Sequence, residues 1–353
     1  MRLVPVENLK GGEIIGRDIL TSEGSILLKA TSRFKPAYKK RLLERRIHNI
    51  YIDDDISKGI VPYEIINPHI KRQLKNELNE QFKRIENVMS VNLQDIEPLT
   101  TIIIDELSNK NLILDMMDLK CNDGYTYSHC VNVGIITCAL AKKIGFNYED
   151  IKKIVTGALL HDIGKIMIPK DILNKPGQLT FDERTVIQSH CQIGYDIIKN
   201  DPTMSPISKV IVLCHHERED GNGYPLAKGE DLHMGAKIVA VADVFDALVS
   251  DRPYRDGFPV NRAMTFLKKE KLNQYVINVL ESMVAFYPVG SAIRLSNQLI
   301  ALVEQNFTSD LTRPLVRVIY DLRTNSVTNY KYDLRKELNV TVVDKVTHLP
   351  HVI

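Results

Sequence analysis

Five of the ten histidines in this 353-residue chain form a sparse series with two aspartates. The members of the series are His129, His161, Asp162, His190, His215, His216 and Asp243. Roughly 25 to 32 residues separate one position from the next, about the length of one helix and its connection. Several helices of a bundle could therefore each bring one or two of these side chains to a common centre, as bundles do when they form metal sites.

The residue types in this series suit a particular class of metal chemistry. Imidazole nitrogens and carboxylate oxygens without a thiolate favour iron, manganese or zinc over calcium or magnesium. Seven ligands exceed what one ion needs but suit two ions that share a carboxylate. Such a pair, about 3.5–4 Å apart, can lower the pKa of a bridging water and stabilise a displacement at phosphorus. Residues 121 to 255 are therefore predicted to build a two-metal site that hydrolyses a phosphodiester bond.

The local sequence around each histidine agrees with a helical centre. His161 and Asp162 end the apolar segment 154–160, with Gly164 as the expected C-terminal cap. Thr180 and Glu183 form a capping-box pattern that opens a helix on which His190 shares a face with apolar residues. A single inward histidine is more often a hydrogen-bonded core residue than a ligand, but seven such residues at helical spacing favour the metal site.

A second pair of carboxylates lies in the most apolar segment of the chain, residues 237–249. This segment is apolar almost all round, which predicts a buried helix. Asp243 and Asp246 are three residues apart and therefore share a face. Burying an unpaired carboxylate costs several kcal/mol, so each of them needs a metal ion or a fixed cation as partner.

The remaining sequence predicts a mainly α chain with smaller parts at both ends. Residues 1–60 read as a small α/β unit with a hairpin-like turn between Ile14-Ile15 and Ile26–Leu28, a helix near 36–45 and a strand near 49–52. Residues 61–98 form an amphipathic helical linker, 99–285 a helical catalytic domain and 286–353 a β-rich appendage. The apolar stripe of the linker, near residues 70–89, packs either on its own catalytic domain or on a second copy in a homodimer.

Composition excludes some functional classes. The chain has 46 basic and 44 acidic residues, so it lacks the basic balance of proteins that bind polymeric nucleic acid. Five cysteines without a C-x-x-C pair suggest neither a disulfide framework nor a zinc knuckle. No stretch approaches 18 apolar residues and the N-terminus lacks the apolar core of a signal peptide, so we expect a soluble cytoplasmic protein without a membrane partner.

At these residues the chain resembles the HD-GYP family, a subgroup of the HD phosphohydrolases. The matching stretches are 123–133, Leu159-Leu-His-Asp-Ile-Gly-Lys165, 173–180, His190 with Gly194-Tyr195, His215-His-Glu-Arg-Glu-Asp-Gly-Asn-Gly-Tyr-Pro225, 241–248 and Arg252-Pro-Tyr-Arg255. Together they span about 135 residues in the order and spacing of the family. An isolated His-Asp pair would be a weak signal, but this complete series is highly specific.

The resemblance implies an HD-type helical bundle that acts as a cyclic di-GMP phosphodiesterase in the bacterial cytoplasm, giving linear pGpG and in some members GMP. It implies two divalent transition-metal ions, with iron first and manganese as the alternative. The seven residues of the series would be ligands, and Asp162 would bridge. Residues with other implied roles are Lys165 at the scissile phosphate, Asp123 and Asp246 as orienting groups, Arg252 and Arg255 on phosphate or guanine, and Tyr224 and Pro225 in the wall.

Two positions depart from the family pattern. Tyr125 stands where some relatives place a glutamate that could hold a third ion, so two ions are expected here. Glu219 stands where an aromatic residue is common, and its charge either weakens anion binding or faces solvent. Two rival functions remain open. One is the same chemistry on another cyclic dinucleotide such as cyclic GMP-AMP, and the other is a non-catalytic adaptor that keeps the fold and binds signalling proteins.

Overall fold

The structure, a computed structural model, describes residues 1–21, 25–115, 117, 125–251 and 257–350, and the backbone but not the side chains of Tyr125 and Thr126. The chain divides into two compact units. The helical unit consists of Ile65–Leu112 and Gly124–Glu281, and the sheet unit consists of Met1–Glu64, Ile113–Asp123 and Ser282–Ile353. The predicted domain boundaries at 60, 98 and 285 remain a prediction. N-terminal and C-terminal segments share one unit, which local sequence patterns did not indicate.

Helices form nearly all regular structure of the helical unit. Its described α-helices are α2 Pro68–Val88, α3 Leu93–Glu106, α4 Tyr125–Ile144, α5 Tyr148–Leu160, α6 Lys170–Leu173, α7 Phe181–Gln188, α8 His190–Ile198, α9 Pro206–Cys214, α10 Met234–Val249, α11 Val260–Leu267 and α12 Gln274–Glu281. A 3-10 helix, Ile163–Met167, follows α5. The interior forms where α5 packs on α4 and α9 and where α10 packs on α4. This mainly helical architecture confirms the predicted fold class.

The apolar stripe near residues 70–89 is buried inside the helical unit. Leu74, Leu78, Phe82 and Ile85 are buried, and α2 packs on α3 and α4. The Phe82 ring meets the ring of Tyr127 edge to face at 5.5 Å between centroids. The first alternative from the sequence, packing on its own domain, therefore agrees with the structure. The predicted homodimer through this helix remains untested.

The described residues of the sheet unit form three antiparallel sheets, the α-helix α1 Tyr38–Glu44 and two 3-10 helices, Val6–Asn8 and Asp55–Ser57. Its strands are β1 Arg2–Pro5, β2 Ile14–Ile15, β3 Ile19–Leu20, β4 Ile26–Leu28, β5 Asn49–Asp53, β6 Ala292–Leu295, β7 Leu299–Phe307, β8 Asp310–Asp321, β9 Ser326–Asp333 and β10 Val342–Lys345. The sheets have the strand orders β1-β5-β2, β3-β4 and β10-β6-β7-β8-β9. The predicted β-rich C-terminal segment is thus a five-stranded sheet.

The hairpin predicted near the N-terminus has a different partner in the structure. Ile26–Leu28 pairs with Ile19–Leu20, whereas Ile14–Ile15 pairs with Asn49–Asp53 at the centre of a three-stranded sheet. The strand pair around the predicted turn is therefore present, but the assignment of Ile14–Ile15 to it was wrong, because these residues pair with a strand more than 30 residues further along the chain. Within the part of the chain that the structure describes, no helix is long and apolar enough to cross a membrane.

Gly164 does not cap a helix but allows two backbones to approach closely. It lies inside the 3-10 helix that follows α5, and an added Cβ would meet the carbonyl oxygen of His190 at 2.0 Å and the amide nitrogen of Gly194 at 2.6 Å. The predicted helix through His190 is also interrupted, since α7 ends at Gln188 and α8 begins at His190. The capping box of Thr180 and Glu183 that opens α7 is confirmed.

Replacing Gly164 with alanine should destabilise the protein, because the new methyl group would push against the backbone of α8 rather than against a flexible side chain. We expect a loss of about 1–3 kcal/mol in the free energy of unfolding, measured by chemical denaturation. Gly134→Ala is the matched control: its Cβ would meet the Cδ2 methyl of Leu159 at 3.0 Å, which can shift. Equal destabilisation by both substitutions would contradict this role of Gly164.

Candidate metal centre

The structure brings all seven predicted ligands together in the interior of the helical unit. His161 and Asp162 lie at the end of α5, His190 begins α8, His215 and His216 follow α9, and two further side chains come from α4 and α10. All are buried except His216, which is partly exposed. Elements more than 100 residues apart in the chain thus meet at one place, as the spacing predicts.

Asp162 lies between two groups of imidazoles. Its Oδ1 atom is 3.4 Å from Nε2 of His190 and 3.9 Å from Nε2 of His215. Its Oδ2 atom is 3.4 Å from Nε2 of His161 and 3.9 Å from Nε2 of His129. We call His190, His215 and His216 the first imidazole group, and His129 and His161 the second. One carboxylate therefore presents a separate oxygen to each group.

Asp243 is the second carboxylate of the centre and lies near three of the histidines. Its Oδ1 atom is 3.0 Å from Nε2 of His129 and 4.0 Å from Nε2 of His161. Its Oδ2 atom is 3.6 Å from Nδ1 of His216. This carboxylate belongs to the second imidazole group and reaches toward the first.

Backbone carbonyls fix the orientation of three histidines. Nδ1 of His161, His190 and His215 each contacts the carbonyl oxygen three residues earlier, at Ala158, Ile187 and Val212, over 2.7, 2.6 and 3.0 Å. A carbonyl only accepts, so Nδ1 must donate its proton. The Nε2 lone pair of each ring is then free for the centre. A hydrogen bond from the other ring nitrogen commonly fixes the tautomer and orientation of a histidine that binds a metal ion.

His129 is oriented by a carboxylate instead of a carbonyl. Its Nδ1 donates to Oδ2 of Asp246 over 2.7 Å. The other oxygen of Asp246 accepts from Nδ2 of Asn132 at 2.9 Å and from the hydroxyl of Ser250 at 3.1 Å. Burial alone would lower the pKa of His129, but the hydrogen bonds to Asp243 and Asp246 outweigh burial and raise this pKa to about 9. Asp246 thus contacts a predicted ligand and its own supporting residues.

The protonation states of the two carboxylates and of the first imidazole group suit metal binding. Burial would raise the pKa of Asp162, but Lys165 and His161 outweigh burial and hold this pKa well below its usual range. Asp243 behaves alike, since the hydrogen bond from His129 outweighs burial. Burial lowers the pKa of His190 and His215, and it lowers that of His216 to about 3. The carboxylates are therefore ionised and the first imidazole group is neutral near pH 7, as metal binding requires. His129, whose pKa is raised, is protonated without an ion and must release its Nε2 proton to bind one.

Two buried polar atoms of the centre lack a hydrogen-bond partner among the described residues: Nε2 of His161 and Oδ1 of Asp162. Leaving such an atom unpaired costs about 1–3 kcal/mol. Both atoms face the interior of the cluster, where a divalent cation would satisfy them. The donor set of imidazole nitrogen and carboxylate oxygen likewise suits a transition metal. The residues present therefore fit metal ions.

Lys165 supplies a positive charge at the edge of this centre. Its Nζ donates to Oδ2 of Asp162 over 2.7 Å, and its side chain is 21% exposed whereas that of Asp162 is 2% exposed. The attraction of Asp162 outweighs burial and raises the pKa of Lys165, so the amine is charged. A molecule that approaches the centre from solvent would meet this ammonium group.

Tyr224 forms part of the wall of the metal centre. Glu217, which the sequence analysis did not single out, holds the adjoining loop. The Tyr224 ring lies 4.7 Å from the ring of His216, with 31° between the planes. Pro225 follows it through a cis peptide bond and is exposed. The buried carboxylate of Glu217 accepts three backbone N–H groups, those of Leu226, Ala227 and Lys228, at 2.6 to 3.1 Å.

Glu219, which departs from the family pattern, is partnered by two side chains of the protein. Its carboxylate accepts from Nδ2 of Asn273 at 2.7 Å and lies 3.3 Å from the ammonium group of Lys237. Its charge is therefore neutralised on the outer side of the loop. Asp123, Arg252 and Arg255 lie outside the described residues, as does the side chain of Tyr125. Sequence reasoning gave Asn132 no role. Its position three residues after His129 on one helix could have indicated that it lies on the same face as this predicted ligand.

Comparison with known proteins places this centre in a family. Residues 112–278 match the HD domain. The chain is 34% identical to a cyclic di-GMP phosphodiesterase of Pseudomonas aeruginosa over 63% of this chain and 56% of that protein. It is 34% identical to a cyclic di-GMP phosphodiesterase of Thermotoga maritima over 65% of this chain and 64% of that protein. It is also 34% identical to a 3'3'-cGAMP-specific phosphodiesterase of Vibrio cholerae over 48% of this chain and 40% of that protein.

This chain spans less than two thirds of the length of each of these relatives. The matched range 112–278 nevertheless contains every one of the seven converging side chains. Among these side chains, His161 and Asp162 form the His-Asp pair. The carboxylate of Asp162 has one oxygen toward each imidazole group. These matches and this geometry identify residues 112–278 as an HD domain.

Proposed function

We propose that this chain is a metal-dependent phosphodiesterase that opens a cyclic dinucleotide, with cyclic di-GMP as its substrate and linear pGpG as the first product, which further hydrolysis would convert to GMP. The observation that carries the proposal is Asp162, which presents one oxygen to each of two imidazole groups. Such a carboxylate suits two cations that share a ligand. The relatives named as cyclic di-GMP phosphodiesterases support the choice of substrate.

The two ions divide the ligands between them in this proposal. His190, His215 and His216 would hold one ion with Oδ1 of Asp162, and His129, His161 and Asp243 would hold the other with Oδ2. Iron is the proposed metal and manganese the alternative. When bound, two such ions activate water for attack at phosphorus and offset the charge that develops on the phosphate. Asp246 would keep His129 oriented toward its ion.

Residues at the edge of the centre would bind the substrate. Lys165 carries a proton and only part of its donor capacity is used by Asp162, so it would also donate to an oxygen of the scissile phosphate. Its charge would stabilise the transition state more than the ground state as negative charge builds up. Tyr224 and Pro225 would shape the wall beside the ring. Arg252, Arg255 and Asp123 keep the binding and orienting roles that the resemblance implies.

One alternative substrate has specific support. The relative from Vibrio cholerae is named as specific for 3'3'-cGAMP, and its identity to this chain equals that of the two cyclic di-GMP enzymes. The residues that contact the bases would decide between the two molecules, since the metal centre contacts only phosphate. A non-catalytic adaptor is less well supported because all seven ligand residues are present and buried or partly buried in one place.

Removing the shared carboxylate should abolish catalysis. In Asp162→Ala we expect turnover to fall to background and the metal content per chain to fall, because each imidazole group loses an oxygen. Metal content is measured by mass spectrometry of anaerobically purified protein. Asp196→Ala, on the exposed side of α8, is the matched control and should keep both properties. Full activity of Asp162→Ala would show that this residue does not bridge two ions.

Lys165→Ala should separate catalysis from metal binding. We expect the metal content to stay unchanged while kcat falls about 100- to 1,000-fold, the usual effect of losing one preorganised donor. Lys199→Ala, which removes an exposed lysine paired with Asp196, is the control. Loss of metal in Lys165→Ala would show that this lysine supports the ligands rather than the phosphate.

The substrate is tested by comparing kcat/KM for cyclic di-GMP, 3'3'-cGAMP and cyclic di-AMP on the same metal-loaded sample. We expect the highest value for cyclic di-GMP and a linear dinucleotide as the first product by chromatography. A higher value for 3'3'-cGAMP would favour the alternative substrate. A metal-loaded protein that cleaves none of the three cyclic dinucleotides would contradict the proposal that this chain is a phosphodiesterase.

A further inference from the structure

A thiol lies beside the first imidazole group. Cys191 follows His190 on α8, and its side chain is completely buried. Its Sγ atom is 3.5 Å from Nε2 of His190. One potential ligand atom from each of Cys191, His190, His215 and His216 lies within 4.8 Å of all the others. The sequence predicts a centre of nitrogen and oxygen ligands alone, so it gave no reason to include sulfur.

We propose that Cys191 is a thiolate ligand of the ion held by the first imidazole group, and that it makes this position prefer zinc or ferrous iron to manganese. The inference rests on the metal centre proposed above. It adds a ligand to one ion and leaves the assignment of the second imidazole group unchanged.

The spacing of the atoms around His190 suits a common ion. Zinc binds imidazole nitrogen at about 2.0–2.1 Å and thiolate sulfur at about 2.3 Å, so at a tetrahedral angle the nitrogen and the sulfur lie about 3.5 Å apart. Nε2 of His190 and Sγ of Cys191 are 3.5 Å apart. Two imidazole nitrogens on such an ion lie about 3.3 Å apart, and Nε2 of His190 and of His215 are separated by 3.2 Å.

A second observation points to a ligand at the same place. Oδ1 of Asp162 is buried, has no hydrogen-bond partner among the described residues and lies 3.4 Å from Nε2 of His190. His190 donates from Nδ1 to the carbonyl of Ile187, so its Nε2 is a lone pair facing the same space. An unpaired carboxylate oxygen and the three imidazoles of the first group around one thiol form a cation site rather than an ordinary apolar pocket.

The chemistry of sulfur gives the proposed selectivity. When the thiol binds the ion, its proton passes to solvent and the thiolate contributes one negative charge. Thiolate is a soft ligand that favours zinc and iron, whereas manganese prefers carboxylate, carbonyl and water oxygen. One sulfur ligand beside the three imidazoles of the first group would therefore make the ion bound there less favourable as manganese than as zinc or iron.

Two other buried cysteines allow a sharp comparison. Cys130, next to His129 on α4, lies with His161 and Asp162 in a separate potential ligand cluster on the other side of the centre. Cys138 is also buried on α4 but belongs to none of the potential ligand clusters of the described residues. Cys130→Ser tests whether a sulfur ligand binds the ion of the second imidazole group instead. Cys138→Ser is the matched control for the loss of one buried thiol.

The test uses full-length protein loaded anaerobically with Co(II) or Zn(II), and its readouts do not depend on activity. With both ions bound, X-ray absorption should show one sulfur scatterer per two metal ions at about 2.3 Å. The Co(II) protein should also show a near-ultraviolet thiolate-to-metal charge-transfer band. Both signals should disappear in Cys191→Ser and persist in Cys130→Ser and Cys138→Ser. Competition binding should show that Cys191→Ser raises the affinity for Mn(II) relative to Zn(II) by about tenfold or more.

Each other outcome overturns the inference. A metal-loaded wild-type protein without a sulfur signal would show that the thiol only donates a hydrogen bond to His190, and the phosphodiesterase proposal would stand. Loss of the signal in Cys130→Ser alone would assign the sulfur to the other position. A folded wild-type protein that binds no metal under any loading condition would overturn both proposals. Circular dichroism of the metal-free Cys191→Ser variant checks that the substitution leaves the fold intact.

Discussion

The structure of the helical unit depends on keeping ionised carboxylates inside an apolar interior. Asp162, Asp243 and Asp246 are all buried, and the first two remain ionised because nearby cations and imidazoles outweigh the effect of burial on their pKa. Burial of an uncompensated carboxylate would cost several kcal/mol. Lys165, His161 and His129 therefore contribute to the stability of the fold as well as to its chemistry. The same requirement applies to α10, a largely apolar helix that carries the buried Asp243 and Asp246.

Helix ends provide the second half of this arrangement. His161, His190 and His215 each follow directly, or by one residue, the last residue of an α-helix. The last carbonyl groups of a helix have no partner within it. The three imidazoles use such carbonyls as acceptors for Nδ1, so one hydrogen bond satisfies the helix end and fixes the ring for metal binding. His129 lies inside a helix, where the carbonyls are already paired, and it needs Asp246 for the same purpose.

The sequence predicted the parts of this site that depend on local periodicity and residue type. The inward faces that carry the ligands, the capping box at Thr180 and the buried α10 were accessible because each needs only one helix and its apolar face. The convergence of the ligands was inferred from their regular spacing and from the family resemblance. The pairing of Ile14–Ile15 with Asn49–Asp53 and the sharing of one unit by both chain ends depend on long-range contacts that no local pattern encodes. The contact of Gly164 with α8 and the neutralisation of Glu219 by Lys237 likewise required three-dimensional neighbours.

Glu217 has a consequence for how a ligand enters. Its buried carboxylate binds three consecutive amides of residues 226–228, directly after Tyr224 and Pro225, and its own backbone follows the His215-His216 pair. The wall and the paired imidazoles are therefore tied to one anchor and move together. These three hydrogen bonds hold the described part of the loop against the segment that carries the paired imidazoles. We therefore expect a ligand to bind to a wall that is already formed rather than to one that closes over it.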